Sequence, residues 1–378
     1  MAHIKRLKIA GFCKSKEISV KIKALGTQLH YFAKIICSSC IYNKKYDNMV
    51  ICIMYDNEEG KIVEEYAVYF AKVNLASNHL YEVLRKERKL EAVLQELHDT
   101  LKSDIVYTEQ IPVPLTDEEI AQGLKVKFET IEYKLVVGDK KALGIEGAIF
   151  RTSKLYFNLL ENGNSLVPSA VKHTDAIRFY FDTFNEFVGF NRKQRFGYQQ
   201  FVNAFENIIN ICLEEANKNY RFHVSLYSDG LNLDEIKSEL MKISNIERLE
   251  IRIQPPNPDE DTLNRIETSL GDKLKELEEA GASARIALIE AKGEKSLKIE
   301  SKLVEDELKL IEDIHEMVGT QKATSRGYVK IKAENKSGDT FTSDEKRPKT
   351  IRCDDENFVD RVRSFVAQII IASNSEQK

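Results

Sequence analysis

Arg221-Phe-His-Val-Ser-Leu-Tyr227, Leu233-Asp-Glu-Ile-Lys-Ser-Glu-Leu-Met-Lys-Ile243 and Arg248-Leu-Glu-Ile-Arg-Ile253 follow one another with short connections. In the last stretch Leu249, Ile251 and Ile253 fall on one side of an extended chain, which is the period of a strand with one buried face. The first stretch reads as a strand as well. The middle stretch is a helix, opened by Asn232 and Glu235 as a capping pair. Strand, helix, strand is thus the unit from which the fold is read.

The pattern continues downstream. A helix is expected through Leu263, Ile266, Leu270, Leu274 and Leu277, closing near Gly281. Arg285–Ala291 and Leu297–Ile299 read as short strands, and Leu303–Val318 as a helix stopped at Gly319. Tyr328–Ala333 and Thr340–Thr342 flank Asn335-Lys-Ser-Gly338, a hairpin turn, and Thr350–Cys353 adds a strand. Asp354 or Asp355 caps a last helix carrying Val359, Val362, Phe365 and Ile369. The predicted class is α+β with mixed sheets, the C-terminal part being an open α/β sandwich of ferredoxin-like type.

Upstream the signals are less regular. Leu80–Leu101 shows a 3.6-residue apolar stripe, predicting one long amphipathic helix. Thr116 and Glu119 form a capping box for a short helix ending at Gly123. Leu124–Val137 reads as a strand whose apolar parity switches near Thr130–Ile131, predicting a bulge or bend. Phe196–Ala216 is helical by its spacing. The polar, turn-rich stretch 161–175 predicts a boundary. The expected organisation is an N-terminal α+β domain over 1–165, an aromatic-rich connection and helix over 166–219, and a C-terminal α/β domain over 220–378.

With 378 residues, 42% of them hydrophobic, more than one core is expected. No apolar run is long enough to cross a bilayer, and no signal peptide is visible at the N-terminus. Six cysteines, at 13, 37, 40, 52, 212 and 353, are too sparse for a disulfide framework, so a reducing cytoplasm is the expected location. Net charge is −4, but its distribution is uneven. Residues 1–45 carry ten Lys/Arg and one acid, a net of +9 that leaves −13 for the rest. Segment 257–318 is acidic and 319–352 is basic again. Such asymmetry predicts a polyanion partner or an internal counter-surface.

Within the basic N-terminus, His3–Ala10 and Ile18–Ala24 alternate as two strands. Arg6 and Lys8 share one face of the first, Lys21 and Lys23 one face of the second. With Lys5 they form a candidate phosphate-binding ribbon, since neutralising phosphates needs charge but no base-specific geometry. Lysines on edge strands also guard against edge-to-edge pairing, which is the plainer reading. A second cationic site is Gly189-Phe-Asn-Arg-Lys-Gln-Arg-Phe-Gly-Tyr198, where Arg192, Lys193 and Arg195 lie among Phe190, Phe196 and Tyr198. Cations interleaved with aromatics suit backbone contact and base stacking, although such aromatics more often fill a core.

Two catalytic or metal readings compete with these. Asp259 and, at the end of an apolar run, Glu290-Ala-Lys292 have the layout of PD-(D/E)xK nucleases, in which carboxylates hold Mg²⁺ and the lysine steadies the attacking water. Glu-x-Lys recurs by chance in so charged a region. Cys37-Ser-Ser-Cys40 has zinc-ligand spacing, with His30 and Cys52 as conceivable partners, but buried structural cysteines are the plainer reading. There is no Walker A sequence, no G-x-G-x-x-G and no G-x-S-x-G. No catalytic residue, resident metal or cofactor is therefore assigned, save Mg²⁺ under the nuclease reading.

Gly327-Tyr-Val-Lys-Ile-Lys-Ala-Glu-Asn-Lys-Ser-Gly-Asp-Thr-Phe-Thr342, followed by the capped helix, resembles the end of the RexA phage-exclusion proteins. Those also close with a strand, a Gly-Asp hairpin, a strand and a helix, and the order at 221–253 is similar. The segment also looks like an uncharacterised family of bacterial and phage proteins with a Gly-Tyr-x-x-Val strand near the C-terminus. The resemblance is confined to the C-terminal part. It implies a two-domain, dimeric DNA-binding protein acting in phage exclusion or defence, and it transfers no catalytic residue. The expected partners are DNA, a second copy of the chain and a further defence protein. The expected function is sequence-tolerant DNA binding without catalysis, the alternatives being the nuclease and a protein–protein interaction component.

Overall fold

The structure, a computed structural model, describes residues 65–375 apart from positions 78, 116, 142–143, 162–164, 194, 256, 258–275, 278, 293–294 and 319–322. These lie within one compact unit, Glu64–Lys378. The N-terminal strands with Lys5, Arg6, Lys8, Lys21 and Lys23, and the Cys37/Cys40 pair with His30 and Cys52, lie outside the described residues. So does most of the helix expected over 262–277.

Twelve strands and seven α-helices are described, and they confirm the α+β class. The larger sheet has the order β12-β1-β6-β5-β4-β3-β2 and is antiparallel throughout. Its strands are β1 (Tyr66–Leu75), β2 (Val106–Val113), β3 (Lys127–Lys141), β4 (Gly144–Glu161), β5 (Ser165–Asp182), β6 (Phe187–Asn191) and β12 (Thr350–Cys353). β7 (Phe222–Leu226) lies beside the second half of β1, on the same edge as β12.

Alternation in β1 decides what covers each face. Ala71, Val73 and Leu75 turn toward α1 (His79–Leu84), α2 (Leu90–Thr100) and α4 (Tyr198–Glu215), forming the largest core. The short helix expected before Gly123 is present as α3 (Asp117–Ala121), between β2 and β3. Val68 and Phe70 turn the other way, under the last helix, α7 (Phe358–Ser375). Phe358, Val362 and Val366 of α7 are fully buried there, each contributing roughly 1.5–3 kcal/mol. The helix lies so close to β6 that a Cβ on Gly189 would meet a Val362 methyl at 2.6 Å. Glycine at that position is a packing requirement.

Several expectations are corrected here. β4 and β5 pair along their whole length, from Gly144↔Asp182 to Glu161↔Ser165. The turn-rich stretch at 161–175 therefore spans the tip of a hairpin and the start of β5, with strands from both sides of it in one sheet. The helix expected over 80–101 is two helices, because Lys86 takes a left-handed φ of +59° between them. Leu84 then packs against both main cores, while Arg88 turns back to pair with Glu96 and stack on Tyr220. β3 has no bulge at Thr130–Ile131. Its inward row is Glu129, Ile131, Tyr133 and Leu135, so Phe128 is left 57% exposed. The irregularity comes later, between Val137 and Lys140. Leu297–Ile299 is not a strand, although Leu297 donates its N–H to Ile246.

The second sheet has the order β11-β10-β8-β9: β8 (Ile246–Ile253), β9 (Arg285–Glu290), β10 (Val329–Asn335) and β11 (Thr340–Thr342). Leu249, Ile251, Val329, Ile331, Ala333 and Phe341 face α5 (Leu233–Met241) and α6 (Lys302–Val318). Among the described residues two helices cover one face and no helix covers the other, consistent with the open sandwich expected. Between the sheets lies a polar layer. Lys72 pairs with Glu186 at 2.8 Å, both nearly buried, and Glu186 also accepts from Asn257. A buried pair of this kind adds little net stability but is costly to break.

Candidate nucleic-acid interface

β6 is buried along its whole length between β1 and β5, and its last residue, Asn191, accepts the Arg178 N–H at 2.9 Å. Immediately beyond it the chain surfaces. Arg192, Lys193 and Arg195 are exposed, and none forms an ion pair among the described residues. The loop then dives back: Phe196 is fully buried against Tyr133 and Phe201. Lys193 N–H donates to the Phe196 carbonyl at 3.3 Å, closing the turn. Gly197 N–H donates to Gln200 Oε1 at 3.2 Å as α4 begins.

Beneath this loop runs an aromatic stack. Phe190 lies face to face with Phe201 at 4.0 Å, and Phe201 with Phe205 at 5.6 Å. Tyr69 stacks on both Phe190 and Tyr198. Phe190 and Phe196 are core residues, the plainer of the two readings of their spacing, and Tyr198 is half-buried. Burial and the neighbouring Glu345 push the Tyr198 phenol above its ordinary pKa, with Arg192 acting in the opposite sense. These ring contacts anchor both ends of the cation loop.

One residue further on, Gln199 lines a cleft of about 550 Å³ against the uncovered face of the second sheet. Arg248 and Glu250 of β8, Lys330, Lys332 and Glu334 of β10, and Thr340 and Thr342 of β11 form its floor, with Glu345 at its side. Lys330 pairs at 2.7 Å with the buried Asp344, and Gln199 donates to Glu345 at 2.8 Å. Lys332 is exposed, with no ion-pair partner among the described residues. Cations and acids alternate so that β8 is neutral and β10 only slightly positive, and charge along the chain marked the stretch 319–352 without marking this face. The signal present was the outward parity of Arg248 and Glu250.

Of the three nuclease residues, only Glu290 and Lys292 are among the described residues. Asp259 lies outside the described residues. Glu290 ends the edge strand β9 and sits 3.7 Å from Arg248, while Lys292 is exposed beyond it. Among the described residues no group of three His, Cys, Asp or Glu is placed to hold a metal ion. Cys212 is buried, which pushes its thiol up to about 11 and leaves no thiolate at neutral pH. No helix among the described residues is long and apolar enough to cross a membrane.

Residues 160–367 match the family described as "Domain of unknown function (DUF4747)", and the chain belongs to that family. No curated protein matches it. The matched segment holds the cation loop and all four strands of the second sheet, whereas β1, β2 and β3 precede it.

Proposed function

We propose that this member of the DUF4747 family is a sequence-tolerant, non-enzymatic nucleic-acid-binding protein that engages the phosphate backbone of DNA. The observation that carries this reading is the exposed trio Arg192, Lys193 and Arg195, unpaired among the described residues and fixed on a buried aromatic stack. A loop anchored at both ends by buried residues has less backbone entropy to give up on meeting phosphates. Lys5, Arg6, Lys8, Lys21 and Lys23, which lie outside the described residues, add cations of the same chemistry elsewhere in the sequence. The resemblance to RexA supplies a setting, phage exclusion or defence, and a dimeric DNA-bound form.

The test is a filter or gel assay with duplex and single-stranded DNA at low salt. Binding on unrelated sequences with similar affinity is expected, and charge reversal at Arg192, Lys193 and Arg195 should weaken all of them alike. Absence of binding by the wild-type protein sinks the proposal.

A further inference from the structure

The face of the second sheet that no helix covers among the described residues is neither a plain basic patch nor a plain apolar one. Its outward residues run in rows across the strands. Ile286 is followed by Arg252 and Lys330, and Leu288 by Glu250, Lys332 and Thr342. Ile286 and Leu288 are 57% and 47% exposed, whereas the residues of the opposite face pack against α5 and α6. Apolar side chains, free carboxylates and cations therefore lie within one cross-strand spacing of each other, beside a cleft large enough for a nucleotide unit.

We infer that this face and its cleft bind single-stranded nucleic acid in preference to duplex, an inference that rests on the function proposed above. A duplex presents only phosphates to a flat surface, and Glu250 would repel them. A single strand also exposes base faces and base edges. Ile286 and Leu288 offer an apolar platform for the faces, and Arg248 and Lys332 meet the phosphates. Glu250 accepts hydrogen bonds from exocyclic amino groups, which cytosine and adenine carry and thymine lacks. The cleft lies close to the cation loop, because Gln199, which lines it, stands in the first turn of α4 just after Arg195. A strand leaving the cleft continues onto those cations.

Fluorescence anisotropy with labelled oligonucleotides about 12 nucleotides long tests this, using oligo-dC, oligo-dT, their RNA counterparts and a duplex. Wild-type protein should bind the single strands more tightly than the duplex, and oligo-dC more tightly than oligo-dT. In the variant Arg248→Glu/Lys332→Glu, single-strand affinity should fall about tenfold or more while duplex affinity stays within about twofold. Glu250→Ala should abolish the dC-over-dT preference and serves as a second probe if the charge reversals unfold the sheet. Equal affinity of variant and wild type for single strands, or no base preference, overturns this inference and leaves phosphate binding by the loop intact. Failure of the wild-type protein to bind any of the probes overturns both.

Discussion

Asn210 Nδ2 donates to the Phe222 carbonyl at 2.8 Å, and its Oδ1 accepts the Phe222 N–H at 2.9 Å. One side-chain amide therefore takes the place of a neighbouring strand. Glu206, one turn earlier on α4, accepts the Val224 N–H at 2.8 Å in the same way. β7 pairs with β1 along one edge, and α4 satisfies the other with side chains. The helix that begins at the cation loop is thus tied to the strand that leads into the second sheet.

Replacing Asn210 by leucine leaves both backbone groups of Phe222 without partners. The expected destabilisation is about 1–3 kcal/mol, read as a lower urea midpoint with an unchanged slope. A midpoint equal to that of wild type would show that the clamp contributes nothing.

Glu206 makes the same edge sensitive to acid. Burial raises its carboxyl pKa, but His223, with Nδ1 2.7 Å from Oε2, outweighs that together with the Val224 N–H and Arg252, and the net shift is downward from 4.5. A carboxyl depressed in the folded state stabilises fully above its unfolded pKa and ceases to do so as pH falls through the lower folded value. Stability should therefore decline below about pH 4.5 in the wild type. In Glu206→Gln that decline should be shallower. Parallel acid-unfolding curves for the two proteins would contradict the assignment.

Gly327 has a φ of +78°, and a methyl group there would lie 2.1 Å from Cβ of Ser225. Strain and clash act together, so Gly327→Ala is expected to cost about 3 kcal/mol or more. Adding Ser225→Gly should recover the steric part alone, raising the melting temperature only partway. A Gly327→Ala protein that melts like wild type would contradict the close approach of these segments.

Much of the C-terminal half was legible because its elements are short and amphipathic. β7, β8, β10 and β11, and α4 to α7, fall close to where alternation and capping residues put them. β4 and β5 were not legible. Arg151, Ser153, His173 and Asp175 occupy positions on the α4 side of the sheet, beyond the helix, so the apolar alternation fades where the hairpin runs on. A polar turn at a hairpin tip also has the composition of a linker, which is why 161–175 read as a boundary. β12 was found as a strand, but its partner β1 lies nearly 300 residues away, and no local pattern names a distant partner. At the site, exposure of Arg192, Lys193 and Arg195 follows from their chemistry. Burial of Phe190 and Phe196 follows from tertiary packing against Phe201 and Tyr133, which spacing alone does not disclose.

The salt dependence of duplex binding tests the central claim most directly, with wild type compared against Arg192→Ala/Lys193→Ala/Arg195→Ala. Each phosphate that a side chain neutralises adds about 0.9 to the slope of log K against log salt concentration, so the triple variant should be shallower by roughly 2–3. That difference should be the same on unrelated sequences. Identical slopes for the two proteins would contradict the assignment of this loop to the phosphate backbone.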